Sequence, residues 1–171
     1  QDVPIYGPDG RVMILLPLHH IFPLLGSMAA PLYVGGTVAI APSMTSEDIM
    51  ATLQDNRITL IIGVPRFYNL IYKGIMDKIN ASPVAKAIYN VADWARSEKL
   101  SKTLFKSVHK KFGGSLRHLV CGGAAIDPKV ARGYQILGFE MLQGFGMTEA
   151  APMITFTRPG KVKNDSAGQA M

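Results

Sequence analysis

Six consecutive residues, Gly144-Phe145-Gly146-Met147-Thr148-Glu149, carry the densest potential for chemistry in this sequence. Two glycines let a backbone turn sharply and expose its N–H groups. Phe145 offers a flat face on which a base can stack. Thr148 offers a hydroxyl for a phosphate oxygen. Glu149 offers a hard carboxylate of the kind that holds Mg²⁺ bridged to substrate phosphates. These types in this order describe a nucleotide site. They equally describe an ordinary strand-to-helix turn with an acid in its first helical turn, and the six residues alone do not separate the two readings.

Two further places invite chemistry. His19 and His20 stand together in an apolar stretch, but no other ligand lies at a spacing useful for a metal. A histidine there is either packed into the core or lines a ligand. Cys121 is followed by Gly122 and Gly123. The cysteine reads as a small packed residue rather than a nucleophile. The glycines either end a strand or let a ligand approach the backbone closely.

Such residues need a frame. Short apolar runs at 12–16, 37–41, 59–63, 116–121 and 139–143 read as buried strands. Between them, helical patterns are expected at 21–34, buried all round and ended by Gly35-Gly36, and at 47–56 behind Thr45 and Ser46 as N-cap. Others open at Pro65 and at Ser82-Pro83, run from about 101 to 111 before Gly113-Gly114, and run from Asp127-Pro128 to near Gly138. Strands apolar on both faces and alternating with helices imply an α/β fold: a mostly parallel sheet covered by helices on both faces. In such sheets ligands bind beyond the carboxyl ends of strands. That rule gathers 17–22, 63–66, 122–125 and 144–149 at one edge.

Composition narrows the class. The chain has 171 residues, 48% hydrophobic and 18% charged. That excludes intrinsic disorder and a coiled coil and predicts one domain, with no second domain in the chain. One cysteine excludes an internal disulfide framework and a Cys-based zinc site. From Val12 to Ser46 there is no Lys, Arg, Asp or Glu, a run longer than a spanning helix needs. Pro17, Pro23, Pro31, Pro42 and Gly35-Gly36 break it into buried strands and a helix instead. The N-terminus carries Asp2 and Asp9 and no basic head, which argues against a leader. Cytoplasm is therefore the expected compartment. The net charge is +6, and much of the excess lies between Arg96 and Arg117. The first reading of that stretch is a solvated helix face; the second is peripheral association with an anionic membrane. No helix-turn-helix spacing or aromatic-rich RNA signature accompanies it, so nucleic acid is excluded as a partner. A start at Gln1 and a tail that reads as interrupted lead us to expect a piece of a longer protein.

Here a family resemblance becomes specific. Gln143-Gly-Phe-Gly-Met-Thr-Glu149 resembles the signature of adenylate-forming enzymes, the acyl-CoA synthetase (AMP-binding) superfamily, whose usual form has Tyr where Phe145 stands. Cys121-Gly-Gly-Ala-Ala-Ile126 resembles the family's Ser-Gly-Gly-Ala-Pro-Leu turn. Leu16-Pro-Leu-His-His-Ile-Phe22 resembles its Leu-Pro-Leu-x-His-x-Phe segment, which puts His20 on the motif histidine. Thr59 to Tyr68 is similar to its strand leading into Val-Pro-x-x-Tyr/Phe, and Ser166-Ala-Gly168 to its Ser-Val-Gly turn. Five segments in matching order cover nearly the whole chain. The long stretch from Asn80 to Gly114, with Val108 to Arg117, resembles the long-chain fatty acid branch.

The resemblance implies part of an ATP-dependent fatty acid–CoA ligase, which makes an acyl-adenylate and passes the acyl group to CoA. It implies ATP and Mg²⁺ as cofactors, CoA as co-substrate and a fatty acid as substrate. Nucleotide contacts would fall on Gly122, Gly123 and Ala124, and on Gln143, Gly144, Phe145, Gly146, Met147 and Thr148. Glu149 would hold the metal, and His20 with Gly123 would line the acyl substrate. The family's phosphate loop is expected upstream, and its ribose-binding aspartate and catalytic lysine downstream. The chain would then be the central part of the large N-terminal domain, without a catalytic residue of its own and inactive alone. Two alternatives stand beside this. One is an adenylating enzyme for an aryl or amino acid. The other is a non-catalytic α/β ligand-binding module, although a receiver of that kind needs acids after its first strand, where Pro17-Leu18-His19-His20 stands.

Overall fold

The structure is a computed structural model and describes residues 4–171; Asp2 lies outside the described residues. Five apolar runs form parallel strands: β1 (Arg11–Ile14), β2 (Thr37–Ile40), β3 (Leu60–Gly63), β4 (His118–Cys121) and β5 (Glu140–Gly146). Alternate residues point to opposite faces. Met13, Ile61, Leu119 and Met141 enter the larger core, while Val12, Leu60, Ile62, Val120 and Leu142 enter a smaller one. Two antiparallel strands, β6 (Met153–Phe156) and β7 (Gln169–Ala170), extend the sheet beyond β5, giving the order β2-β1-β3-β4-β5-β6-β7. The strand order reverses at β1, and a crevice opens beyond the carboxyl ends of strands at such a point.

Helices cover the two faces unequally. One helical rod lies on the smaller core: α1 (Ile21–Pro23), a π-helical stretch Leu24–Ala29, and α2 (Ala30–Tyr33). In the π register the carbonyl of Gly26 awaits the N–H of residue 31, which is proline and has none. The Tyr6 hydroxyl donates to that carbonyl instead, at 2.8 Å. On the larger core pack α3 (Ser46–Asp55), α4 (Pro65–Asn80), α5 (Pro83–Ala95), α6 (Glu98–Leu104), α7 (Lys106–Lys111) and α8 (Pro128–Ile136). Side chains of Thr45, Ser82, Ser97 and Asp127 accept from backbone N–H groups at their helix starts, and prolines open α4, α5 and α8.

Buried Tyr68 ties the layers together. Its hydroxyl lies 2.8 Å from the carbonyl oxygen of Val120 and 3.1 Å from that of Ile61, and the Tyr134 hydroxyl donates to the Tyr68 carbonyl at 2.9 Å. Burial holds both phenols well above their ordinary pKa, so they stay protonated donors.

Several expectations need correction. The helix at 21–34 is not buried all round: Pro23, Ser27 and Pro31, four residues apart, are buried, whereas Leu32 and Tyr33 face solvent. Only one side of a rod can meet a sheet. The helix expected at 101–111 begins at Glu98 and breaks at Phe105, whose ring is buried in the core while its backbone leaves helical geometry (φ −102°, ψ 28°). The fifth strand runs to Gly146 rather than ending at residue 143. The uncharged run 12–46 folds as two strands and the rod. Among the described residues no helix is long and apolar enough to cross a membrane.

Candidate functional site

The segments after β1, β3, β4 and β5 meet at one edge of the sheet and form two clefts. The first, of about 510 Å³, is lined by His20, Phe22, Val64, Gly122, Gly123, Gly144, Gly146, Met147 and Thr148. The second, of about 560 Å³, is lined by Cys121, Gly123, Ala124, Gln143, Gly144, Phe145, Asn164, Asp165 and Ser166. Gly123, Gly144 and Gly146 border both. The candidate residues are thus divided: His20 and Thr148 face one cleft, Phe145 and Ala124 the other, with glycines between them. A roomier hollow of about 660 Å³ opens at the opposite end of the strands, around Arg11, Arg57 and Arg117. It contains none of the candidate nucleotide, metal or acyl-substrate residues, so size does not select the site.

The glycines of the wall are required by its thinness. A Cβ on Gly146 would land on the Pro152 carbonyl oxygen, and one on Gly144 would come 3.0 Å from Met153 Sδ and Phe156 Cδ2. Gly123 adopts φ +80°, a conformation that favours glycine. The loop expected after residue 143 is therefore a strand. Gly144–Gly146 pair with β6, and the Met147 N–H donates to Pro152 at 2.9 Å. The expectation of a loop here is corrected accordingly: the antiparallel partner holds this stretch as strand. The side chains remain for a ligand. Phe145 is 52% exposed, leaving its ring open to stacking. Thr148 and Glu149 follow on a short 3₁₀ turn, Thr148–Ala150, and both are exposed.

Glu149 has no ion-pair partner among the described residues. No cluster of three or more His, Cys, Asp or Glu that could hold a metal occurs among them either. A lone open carboxylate fits Mg²⁺ that arrives on substrate phosphates, since this ion keeps waters and binds through one or two carboxylates. It does not fit an all-protein metal cage.

Cys121 is buried, and burial pushes its thiol up to about 12. It is a packing residue, as its sequence context suggested. His20 is exposed beside the first cleft. The ring of adjacent His19 lies 4.2 Å away, tilted by 45°.

The second cleft has a wall that the residue types did not single out. Gln143 Nε2 donates to the Asn164 carbonyl at 3.0 Å, and the Thr157 N–H donates to the Gln143 carbonyl at 2.8 Å. These bonds fold the tail back over β5, bringing Asn164 and Asp165 to the cleft. The only sequence signal for this was the neighbouring Ser166-Ala-Gly168 turn. There a Cβ on Gly168 would collide with the Phe156 backbone, so the close approach of tail and strand needs glycine.

Comparisons with known proteins agree with this geometry. A family model described as AMP-binding enzyme matches residues 1–171. Long-chain-fatty-acid–CoA ligase 3 of Saccharomyces cerevisiae is 30% identical over 155 residues, which cover 84% of this chain and 22% of that protein. Feruloyl-CoA synthase of an Amycolatopsis species is 33% identical over 145 residues, covering 84% of this chain and 23% of that protein. The chain thus spans less than a quarter of the length of these two relatives. The crystal structure of ATP-bound MatB from Rhodopseudomonas palustris superposes with a TM-score of 0.68 at 21% identity, over 96% of this chain and 26% of that one; this likeness is one of fold.

Proposed function

The chain belongs to the AMP-binding enzyme family, and from that membership we propose that it is the central part of the adenylating domain of an ATP-dependent fatty acid–CoA ligase. Enzymes of this kind join a carboxylate to the α-phosphorus of ATP, releasing pyrophosphate. The CoA thiol then takes the acyl group and AMP leaves. The shared glycine wall carries this reading, because it lets two ligands approach from opposite sides of one thin strand. A nucleotide in the second cleft would stack on Phe145 and lie along Gly123 and Ala124, while Gly122, named with them from the sequence, lines the first cleft instead. A carboxylate in the first cleft would lie beside His20. Thr148, at the end of the wall, would donate its hydroxyl to a phosphate oxygen, and Glu149 would hold Mg²⁺, which supplies charge neutralisation on the phosphates when bound.

The 30% identity to a yeast long-chain ligase supports a fatty acid as substrate. The 33% identity to a feruloyl-CoA synthase supports a second reading, an aromatic acid. ATP–pyrophosphate exchange by the full-length protein separates the two. Palmitate is expected to stimulate exchange, and CoA to turn it into product release. Exchange with ferulate or benzoate but not with palmitate would replace the fatty acid by the aromatic one. No exchange with any carboxylate would remove the adenylation reading itself. The 171-residue chain alone is expected to make neither acyl-AMP nor acyl-CoA, because groups that act as a unit lose most of their effect when separated.

A further inference from the structure

Helix α5 is apolar on two sides. Ala85, Ile88, Tyr89 and Ala92 pack into the larger core. Val84, Ala87, Val91 and Trp94 follow one another at steps of three and four, so they form a second stripe along the helix. That stripe is exposed: Val84 is 70% accessible, Val91 52% and Trp94 86%. Helix α4, which contacts α5, also exposes an apolar side chain, Leu70, 72% accessible. No described residue covers Trp94.

The charge around the stripe is one-sided. Between Pro65 and Lys111, which spans α4 to α7, lie ten of the chain's 18 Lys and Arg but only three of its 12 Asp and Glu. This stretch therefore carries seven net positive charges, more than the whole chain's +6. All ten bases are exposed. Two of the three acids are already engaged, Asp93 with Arg132 and Glu98 with Lys102, each at 2.6 Å. An apolar stripe ending in an exposed Trp, among bases with few acids to neutralise them, has the chemistry of a helix that lies in a lipid–water interface. Polybasic segments are drawn to the anionic cytoplasmic leaflet.

We infer that α5 docks on an anionic lipid surface, with Val84, Val91 and Trp94 seated among the headgroups and the bases of α4 to α7 neutralising lipid charge. The inference does not rest on the adenylation reading; it holds whatever reaction the strand-end clefts perform.

Vesicle flotation of the full-length protein tests it, using phosphatidylcholine and phosphatidylserine at roughly 2:1, with pure phosphatidylcholine as control. Binding is expected on the anionic vesicles alone and should weaken as salt is raised. Trp94→Ser should lower partitioning about tenfold, Trp94→Phe should largely retain it, and a Lys99→Glu, Lys106→Glu pair should remove it. Trp94 is the one tryptophan of the chain. The emission difference between wild type and Trp94→Phe should therefore shift to the blue on anionic vesicles. A side chain so exposed contributes little to folding, so unchanged melting should accompany these losses. Absent vesicle binding, binding undiminished in Trp94→Ser, or unshifted Trp94 emission would each overturn the inference. Self-association abolished by Trp94→Ser in the absence of vesicle binding would assign the stripe to a second copy of the chain instead.

Discussion

The ring of Phe22 fills the space beside Gly122: a Cβ built on that glycine would lie 2.8 Å from Phe22 Cζ. Two segments a hundred residues apart in the chain are thereby pressed into one wall of the first cleft. Gly122→Ala must push the ring aside. Because the obstacle is the far end of a side chain and not backbone, the fold should survive with a loss of about 1–3 kcal/mol in urea unfolding. Adding Phe22→Leu should restore part of that loss. If the two changes are simply additive, the contact does not carry the effect.

Glu149→Gln should separate chemistry from folding. In the full-length protein, pyrophosphate exchange should fall by about 100-fold or more, since a metal ligand secures several kcal/mol of charge stabilisation. The melting temperature should hardly move, because the carboxylate is exposed and without an ion-pair partner among the described residues. Exchange at the wild-type rate would take Glu149 out of the site.

Tyr68→Phe removes the hydroxyl that reaches the Val120 and Ile61 carbonyls. A buried acceptor that loses its donor costs about 1–3 kcal/mol. Chemical denaturation should show that loss with an unchanged m-value. Stability equal to wild type would mean the strand ladder already satisfies both carbonyls.

His109 makes folding sensitive to acid. Burial, aided by Lys102, holds its pKa below the ordinary histidine value, against opposing effects of the Leu137 carbonyl and Glu98. Its ring stacks on Phe139 at 4.2 Å, with Nε2 2.8 Å from the Leu137 carbonyl oxygen. A base whose folded pKa is depressed resists protonation in the fold. Its contribution is complete above the unfolded value of about 6.5 and is lost as pH falls toward the folded value. Glu140 acts in the same sense at lower pH. Burial pushes its carboxyl up, but hydrogen bonds from His118 and Gly160 outweigh burial and leave it below the usual carboxylate range. Melting temperature should therefore fall between about pH 7 and pH 5, and His109→Phe should flatten that slope. An identical slope in the variant would exonerate His109.

Much of this architecture was legible because periodicity and punctuation agreed. The cores of β1 to β5 lie where apolar runs met turn residues, and the caps sit where a capping side chain was followed by first-turn acids, at Thr45, or by proline, at Asp127. What escaped has a common physical origin. β6 and β7 are short and lie at one end of the sheet, and they are held by the pairing of β6 with β5 and of β7 with β6 and by the fold-back of residues 157–168 rather than by a pattern of their own. The same partner turned Gly144–Gly146 from an expected loop into a strand. Asn164 and Asp165 reach the second cleft through long-range bonds such as that of Gln143 to the Asn164 carbonyl, which no local spacing announces. The exposed stripe of α5 was hidden for another reason: the helix is apolar on two sides, and only the fold shows that Ile88 and Ala92 turn inward while Val84, Val91 and Trp94 face out.

The long excursion between β3 and β4 has a consequence for how the chain tolerates change. Fifty-four residues, Val64 to Arg117, separate two strands that pair in register from Leu60–His118 to Gly63–Cys121. The entropy of closing such a loop grows only with the logarithm of its length, so halving it would relieve about 0.6 kcal/mol. Length is therefore thermodynamically almost free there, and insertions or deletions within α5 to α7 would scarcely alter the closure of the sheet. The constraint is local: Tyr72 meets Tyr89 at 3.1 Å, and its ring occupies the place where Gly133 would carry a side chain. A variant that shortens the excursion is limited by that aromatic seam between α4, α5 and α8, and not by the distance the backbone must travel.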